Sequence, residues 1–424
     1  MIYLVIGIMF ALLFIGEPIF IVFALFGSII GIWHLGIPLA ALAEITYSGM
    51  NVWVLVAVPF FILAGNLMSY SGCAASLFDF VESLVGHVPG GLAVAVVIAC
   101  AIFGAMSGSS IAVASAVGTI SISSLIKAGY PDGFSAGLIA VSGTLGQMIP
   151  PSIYFIILGA VLDLSVGELF LAGILPGILL TLLLSITASG ISYRKNYAIK
   201  PAANWVTRGK KFLKAIPALV SPVIVIGGIY GGIFTPTEAA AISCLYSLLV
   251  GLFYYRGLNR ETIRKTLSNT VTTTSMVYLL VGTAVLMNVF FTYTKIPQAI
   301  TNYVAVQQLS ATAFLMLACL LLLIFGFFLD ALPIIYICAP LLFPTAIKLG
   351  ISPIVFSVLF CLTLMIGQIT PPVGLCLYAT SSFSGVSADK VIKGSIPFLL
   401  AMIAGLLVIL LWPNLSLYLP GLLH

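Results

Sequence analysis

Two long apolar stretches of this chain are interrupted by the same pattern, Gly-Gln-x-x-Pro-Pro, at residues 146–151 and 367–372. A regular helix does not run through a Pro-Pro pair, because each proline removes an amide donor and its ring clashes with the preceding turn. The flanking residues are apolar enough for a bilayer, so the sequence asks for broken helices inside a membrane. Composition leaves little choice of medium. Of 424 residues 62% are hydrophobic and 6% charged, against roughly a quarter charged in soluble domains. Sixteen Lys+Arg and eleven Asp+Glu do not clothe a soluble surface of this size. A soluble enzyme, a disordered chain and a nucleic-acid binder are therefore excluded. The apolar runs are continuous rather than alternating, which argues against an outer-membrane barrel. What remains is an all-α polytopic membrane protein, with room for roughly ten to twelve passes of about 20 residues each.

Spans are expected at 2–15, 18–33 and 52–70, with 38–51 a more polar interfacial segment. The stretches 91–106 and 111–126 are short for full passes and flank Ser107-Gly108-Ser109-Ser110, which predicts a re-entrant hairpin over 91–126. A broken helix over 132–162 and a span over 169–191 follow. The order then recurs: spans at 217–234 and 236–255, a mixed segment 258–270, a span 272–294, a hairpin over 310–347 with its tip near Asp330, a broken helix over 353–383 and a last span 395–412. An offset of 221 carries Gly146, Gln147, Pro150, Pro151, Gly173 and Pro176 onto Gly367, Gln368, Pro371, Pro372, Gly394 and Pro397, and Ser109 onto Asp330. Such self-similarity marks an internal duplication. The expected organisation is a first repeat at 1–193, a basic cytoplasmic linker at 194–214 and a second repeat at 215–424.

Five crossings and one hairpin per repeat would make the second repeat enter from the opposite face, so the two are expected to be inverted. The positive-inside rule agrees. With 194–214 cytoplasmic, fourteen of the sixteen basic residues fall inside, and Lys295 and Lys348 outside. Both termini are then periplasmic, and the linker touches anionic headgroups of the lipid bilayer. No basic stretch or small-residue cleavage site precedes Gly16, so a signal peptide is not expected. The seven cysteines, without a CxxC, read as apolar packing residues. His34, His87 and His424 are scattered and no HExxH occurs, so a catalytic metal centre is not expected.

Helix breaks within hydrocarbon persist only where protein, water or solute satisfies the freed backbone groups. Paired breaks and hairpin tips are the layout of a secondary transporter with its site near the midplane. Pro151 suits the first turn of a helix, so Ser152 stands at one helix start and Ser109 and Ser110 at another. Two such N-termini suit a carboxylate, each contributing about 0.3–2 kcal/mol; small-residue packing is the plainer alternative. In the second repeat Asp330 replaces Ser109. An intramembrane acid favours a cation, although capping or a salt bridge to Lys295 would also explain it. Carbonyls at Gly367, Gln368 and Thr370, and near Ser107, Gly108, Gly143 and Gly146, offer the oxygens that a hard cation takes. Glu17 and Glu238 read as caps; Trp205, Tyr254 and Tyr255 read as interfacial anchors.

The chain resembles the large membrane subunit of the tripartite ATP-independent periplasmic (TRAP) transporters, nearly end to end. The resemblance is carried by Val58-Pro59-Phe60-Phe61-Ile62-Leu63-Ala64-Gly65, Gly86-His87-Val88-Pro89-Gly90-Gly91, Phe103-Gly104-Ala105-Met106-Ser107-Gly108-Ser109, Gly129-Tyr130-Pro131, the run from Ser142 to Ser152, Leu171-Ala172-Gly173-Ile174-Leu175-Pro176-Gly177 and the second Gly-Gln-x-x-Pro-Pro. It implies uptake of an organic acid across the bacterial inner membrane with two or more co-transported Na⁺, by an elevator-like movement. It also implies two partners, a separate small membrane subunit of about four helices and a periplasmic substrate-binding protein. Ser109, Ser110, Pro151 and Ser152 would then meet the substrate carboxylate, with Na⁺ at the hairpin tips and breaks and Asp330 at one cation site. The general look is of a sialic-acid type rather than a C4-dicarboxylate type. The alternative is a self-sufficient Na⁺/carboxylate symporter needing no binding protein. An intramembrane enzyme would need an acid cluster, a His pair or a metal motif, and the sequence offers none.

Overall fold

A computed structural model describes residues 7–8, 12, 15–197 and 199–422. Apart from residues 7, 8, 12 and 15, the expected first span, 2–15, lies outside the described residues. Every regular element described is helical. In chain order the first half contains α1 (Ile19–Trp33), α2 (Leu39–Met50), α3 (Ala57–Ser71), α4 (Cys73–Val85), α5 (Gly91–Ser107), α6 (Ser110–Lys127), α7 (Asp132–Gly143), α8 (Ile153–Leu162) and α9 (Val166–Lys195). The second half contains α10 (Trp205–Tyr230), α11 (Pro236–Leu249), α12 (Arg260–Tyr293), α13 (Ile296–Val306), α14 (Ala311–Gly326), α15 (Ala331–Lys348), α16 (Pro353–Gly367), α17 (Leu375–Ser384) and α18 (Ala388–Leu411). Among the described residues, eight helical stretches are long and apolar enough to cross a bilayer.

Several elements of the two halves match in position and length. Helix α15 starts and ends 221 residues after α6, both are 18 residues long, and α8 and α17 are both 10 residues long. A helix–turn–helix lies over each segment expected to be a hairpin, and the helices are interrupted at both Gly-Gln-x-x-Pro-Pro motifs. One difference lies at the tips. Phe103-Gly104 matches Phe325-Gly326 at an offset of 222, while Ser109 matches Asp330 at 221, so the second tip is one residue shorter. The longer first tip contains Gly108, which holds a left-handed φ of 62°. A side chain there would be strained, and its Cβ would stand 2.8 Å from the Pro151 carbonyl oxygen.

Several expectations need correction. The basic segment 194–214 is mostly not a loop: α9 runs through Lys195 and α10 begins at Trp205, so Arg208, Lys210, Lys211 and Lys214 lie on a helix. Asn204 caps that helix by accepting from the Thr207 amide, which starts it ahead of the apolar run. Nor is the segment wholly solvated, because Lys200 and Lys211 both flank Glu82 of α4, at 2.5 and 3.8 Å. The mixed segment 258–270 and the span 272–294 form one continuous helix, α12, opened by an Asn259/Thr262 capping box. Amphipathic α4 and α13 occupy stretches to which no element was assigned. Glu238 does cap, forming a capping box with Thr235. Tyr254 and Tyr255 donate their hydroxyls to the Leu213 and Lys214 carbonyls, so they also fasten α10.

Two packing groups result. Helices α1, α2 and α3 lean on α12, α3 also packs on α11, and α4 on α10. In the other group each hairpin's return helix lies against the half-helix that follows the opposite repeat's break, α6 on α17 and α15 on α8. The tightest seam joins α7 to α18. A Cβ at Gly394 would fall 1.9 Å from the Gly133 carbonyl oxygen, and one at Gly137 would fall 2.4 Å from the Gly394 carbonyl carbon. The neighbours are backbone and cannot rotate away, and Lys390 pairs with Asp132 at 2.8 Å beside the seam. Gly394→Ala is therefore expected to destabilise the protein by about 1–3 kcal/mol, read as a lower unfolding temperature in detergent. Gly190→Ala, where nothing lies within 4 Å of the added methyl, is expected to leave that temperature unchanged or raise it.

Candidate functional site

The first break begins where α7 tightens into a 3₁₀ turn over Thr144–Gln147 and ends at Ser152, the N-cap of α8. The Ser152 hydroxyl accepts from the Phe155 amide at 3.3 Å and donates to the Gln147 carbonyl at 2.5 Å. The Cys361 thiol, from the second repeat, donates to that same carbonyl at 3.3 Å. At the second break the Thr370 amide and hydroxyl return to the carbonyls of Gly367 and Ile366. The Gln368 carbonyl accepts from the Cys376 amide at 3.1 Å. The breaks are held against the hairpins by glycines that let backbones touch, Gly104 with Gly146 and Gly326 with Gly367.

This packing brings the two motif glutamines face to face. The Gln147 side-chain nitrogen stands within hydrogen-bond distance of three acceptors, Gln368 Oε1 at 2.9 Å, Ser110 Oγ at 2.8 Å and Tyr154 Oη at 2.9 Å, which share its two N–H groups. Ser110 donates in turn to Gln368 Oε1 at 3.0 Å. The Gln368 nitrogen donates to Tyr154 Oη and, at 3.3 Å, to Asp330 Oδ1. Asp330 is the N-cap of α15, and its Oδ1 accepts from the Ala331 amide at 2.7 Å. Ser110, Gln147, Tyr154 and Gln368 are buried, while Asp330 and Thr370 are partly exposed. The first break is also covered at Pro150, Pro151 and Ser152, whereas Pro371, Pro372 and Val373 of the second are open.

The expected site residues thus collect at one junction, in different roles. Ser110, Gln368 and Asp330 are joined by hydrogen bonds. Ser152 is fully buried and committed to its cap, and Ser110 is committed to the glutamines. Among the described residues, Ser109 is the serine of this group whose hydroxyl makes no cap bond and which is partly exposed. Pro151 faces Gly108 through its carbonyl, while Gly143 and Gly146 carry no Cβ where α5 and α6 approach. The carbonyls of Gly367 and Gln368 already accept protein donors, but each oxygen has a second lone pair. Among the described residues no lysine or arginine pairs with Asp330, so the salt bridge to Lys295 does not form.

Several buried oxygens near the two breaks have no protein donor. Ser107 Oγ, Ser142 Oγ and Gln147 Oε1 are buried without a protein partner, which otherwise costs about 1–3 kcal/mol each. With the Asp330 carboxylate they are the ligand type that Na⁺-like ions take. Sequence reasoning gave Gln147 no role of its own, although its match to Gln368 was visible. It missed Tyr154, which has Leu375 at the matching position and so leaves no trace of duplication. Ser110→Ala removes a buried donor and acceptor at once and is expected to cost about 1–3 kcal/mol of stability. Ser109→Ala is expected to cost none; thermal unfolding of the two purified variants tests the contrast.

Residues 6–415 match the family model described as the tripartite ATP-independent periplasmic transporter, DctM component. The C4-dicarboxylate TRAP transporter large permease protein of Pseudomonas aeruginosa is 40% identical over 372 residues, 87% of this chain and 86% of that one. The sialic acid TRAP transporter large permease protein of Vibrio cholerae is 36% identical over 413 residues, 97% of this chain and 96% of that one. Among solved structures, the YdaH transporter of Alcanivorax borkumensis shares the fold, with a TM-score of 0.63 at 16% identity, covering 88% of this chain and 87% of that one. The chain therefore belongs to the DctM-component family of TRAP transporters, the large membrane permease subunits.

Proposed function

We propose that the chain is the transport subunit of a Na⁺-coupled system that takes up an organic acid, of the sialic-acid or C4-dicarboxylate class, across the bacterial inner membrane. The observation that carries this reading is the junction itself. Two helix breaks, one from each repeat, meet through Gln147 and Gln368 beside an uncompensated acid and two helix N-termini. Relatives named for C4-dicarboxylate and for sialic acid both support an anionic substrate. In this reading the substrate carboxylate lies at the starts of α6 and α8, where Ser109 offers its hydroxyl and Ser110, Pro151 and Ser152 shape the wall. The cation half is formed by Asp330, Gly367, Gln368 and Thr370 on one side and by Ser107, Gly108, Gly143 and Gly146 on the other.

Two or more Na⁺ supply the positive charge that offsets the carboxylate and, moving inward with it, the driving force. Each unit charge carried through 100 mV is worth about 2.3 kcal/mol, so a monoanion with two Na⁺ makes the cycle electrogenic. The repeats are inverted, both termini are periplasmic, and the α5–α9 and α14–α18 group moves as an elevator against the rest. Substrate arrives from a periplasmic binding protein, and a small membrane subunit of about four helices stands beside the scaffold.

Proteoliposomes containing this chain and its small subunit test the reading, with and without a Na⁺ gradient and with and without the binding protein. Uptake is expected to need all of them. Uptake without the binding protein would point to a self-sufficient symporter instead. Asp330→Ala is expected to bring Na⁺-driven uptake down to that of empty liposomes while the subunits still co-purify. Wild-type Na⁺ dependence in that variant would remove Asp330 from the cation site.

A further inference from the structure

The roles assigned so far leave Tyr154 unused, although its hydroxyl is where the glutamines of both repeats meet. We infer that Tyr154 is a positioning residue for the cation half of the site: its phenol oxygen holds the Gln368 amide back from Asp330 and so keeps that carboxylate open to the coupling cation. The inference rests on the Na⁺-coupled reading above.

Tyr154 lies in the first turn of α8, directly after the first break, and its ring is 5% exposed. The Ser152 cap and the half-helix it starts fix where the hydroxyl stands. That oxygen receives N–H groups from Gln147 and from Gln368. The Gln368 nitrogen also points at Asp330 Oδ1, but at 3.3 Å, while the Ala331 amide approaches the same oxygen at 2.7 Å. The Gln368 amide is thus shared between a neutral phenol and a carboxylate, and in this arrangement the phenol holds it more closely. A hydrogen bond to a carboxylate is the stronger of the two in general. With the phenol oxygen gone, Ser110 and Gln147 still hold the side-chain oxygen of Gln368, but the nitrogen keeps Asp330 Oδ1 as its one acceptor and closes on it. An oxygen carrying two short N–H donors is a poorer cation ligand, since its lone pairs are spoken for. Gln147 is less affected, because Ser110 Oγ and Gln368 Oε1 still accept its N–H groups. The effect of Tyr154 therefore runs through Gln368.

The test uses purified Tyr154→Phe, Gln368→Ala and the double variant. Two readouts are taken, the stabilisation of thermal unfolding by NaCl against KCl and Na⁺-driven uptake in proteoliposomes. Tyr154→Phe is expected to raise the half-maximal Na⁺ concentration about fivefold, the equivalent of one ordinary hydrogen bond. Substrate KM and the maximal rate at saturating Na⁺ stay within about twofold of wild type by the same reasoning. On the Gln368→Ala background, Tyr154→Phe is expected to add no shift. An unchanged Na⁺ midpoint in Tyr154→Phe, or an equal shift on both backgrounds, overturns the inference. Should Tyr154→Phe fail to purify as a single species, 3,5-difluorotyrosine at 154 keeps the ring and weakens the oxygen as an acceptor; a shift in the same direction supports the inference and none overturns it. If the wild-type protein itself shows no Na⁺-specific stabilisation or uptake, the Na⁺-coupled reading falls first. A Na⁺-dependent wild type with a Na⁺-indifferent Tyr154→Phe sinks the Tyr154 role alone.

Discussion

Backbone groups released by a broken helix have no water to turn to in an apolar medium, and the rest of this architecture follows from how they are satisfied. At the first break the Gln147 carbonyl is taken by Ser152 from its own repeat and by Cys361 from the other. At the second, the Gln368 carbonyl is taken by Cys376 across the gap. The side chains of the same two glutamines then bond to one another. The first break takes one donor from the other half, the second closes its backbone bonds within its own, and the two are joined by their glutamine side chains. Buried polar networks of this kind specify one arrangement because an incomplete version leaves costly unpaired groups.

Much of this was legible in advance. The Pro-Pro pairs fixed both interruptions, and the serines and the acid at the tips marked where return helices begin. The offset of 221 aligned the two halves without any structural information. Features missed were those that depend on distant partners. Helices α4 and α13 are amphipathic and short, and nothing local distinguishes them from loops at the interface. Helix α10 begins among lysines, which looks like a solvated linker until Glu82 on α4 is seen between Lys200 and Lys211. The role of Tyr154 is invisible in sequence because its partners lie 7 and 214 residues away. Serine was easier to find than to interpret: Ser110 and Ser152 stand where helix starts require, yet their hydroxyls are already engaged by protein.

The matching elements of the two halves are alike in length and unequal in chemistry. The first tip has Gly108 and an uncharged cap; the second is one residue shorter and ends in a carboxylate. The first break is sealed around Pro150 and Pro151, while the second is open at Pro371 and Pro372. Duplicated elements that remained identical would offer two copies of one site. Here one tip starts its return helix with a serine and the other with a carboxylate, and the two motif glutamines lie between them.

The long helix α12 carries a consequence of its own. At 1.5 Å per residue its 34 residues reach about 51 Å, against a hydrocarbon slab of about 30 Å. Tilt alone does not hide the difference, and the charged opening turns from Arg260 to Lys265 stand in water or among headgroups. The first half has two separate helices, α2 and α3, in the corresponding place and is free to bend there; the second has a single mast. Lipid thickness sets how far such a mast must lean, and α1, α2 and α3 all rest on it. The composition of the surrounding membrane is therefore a mechanical input to this side of the protein.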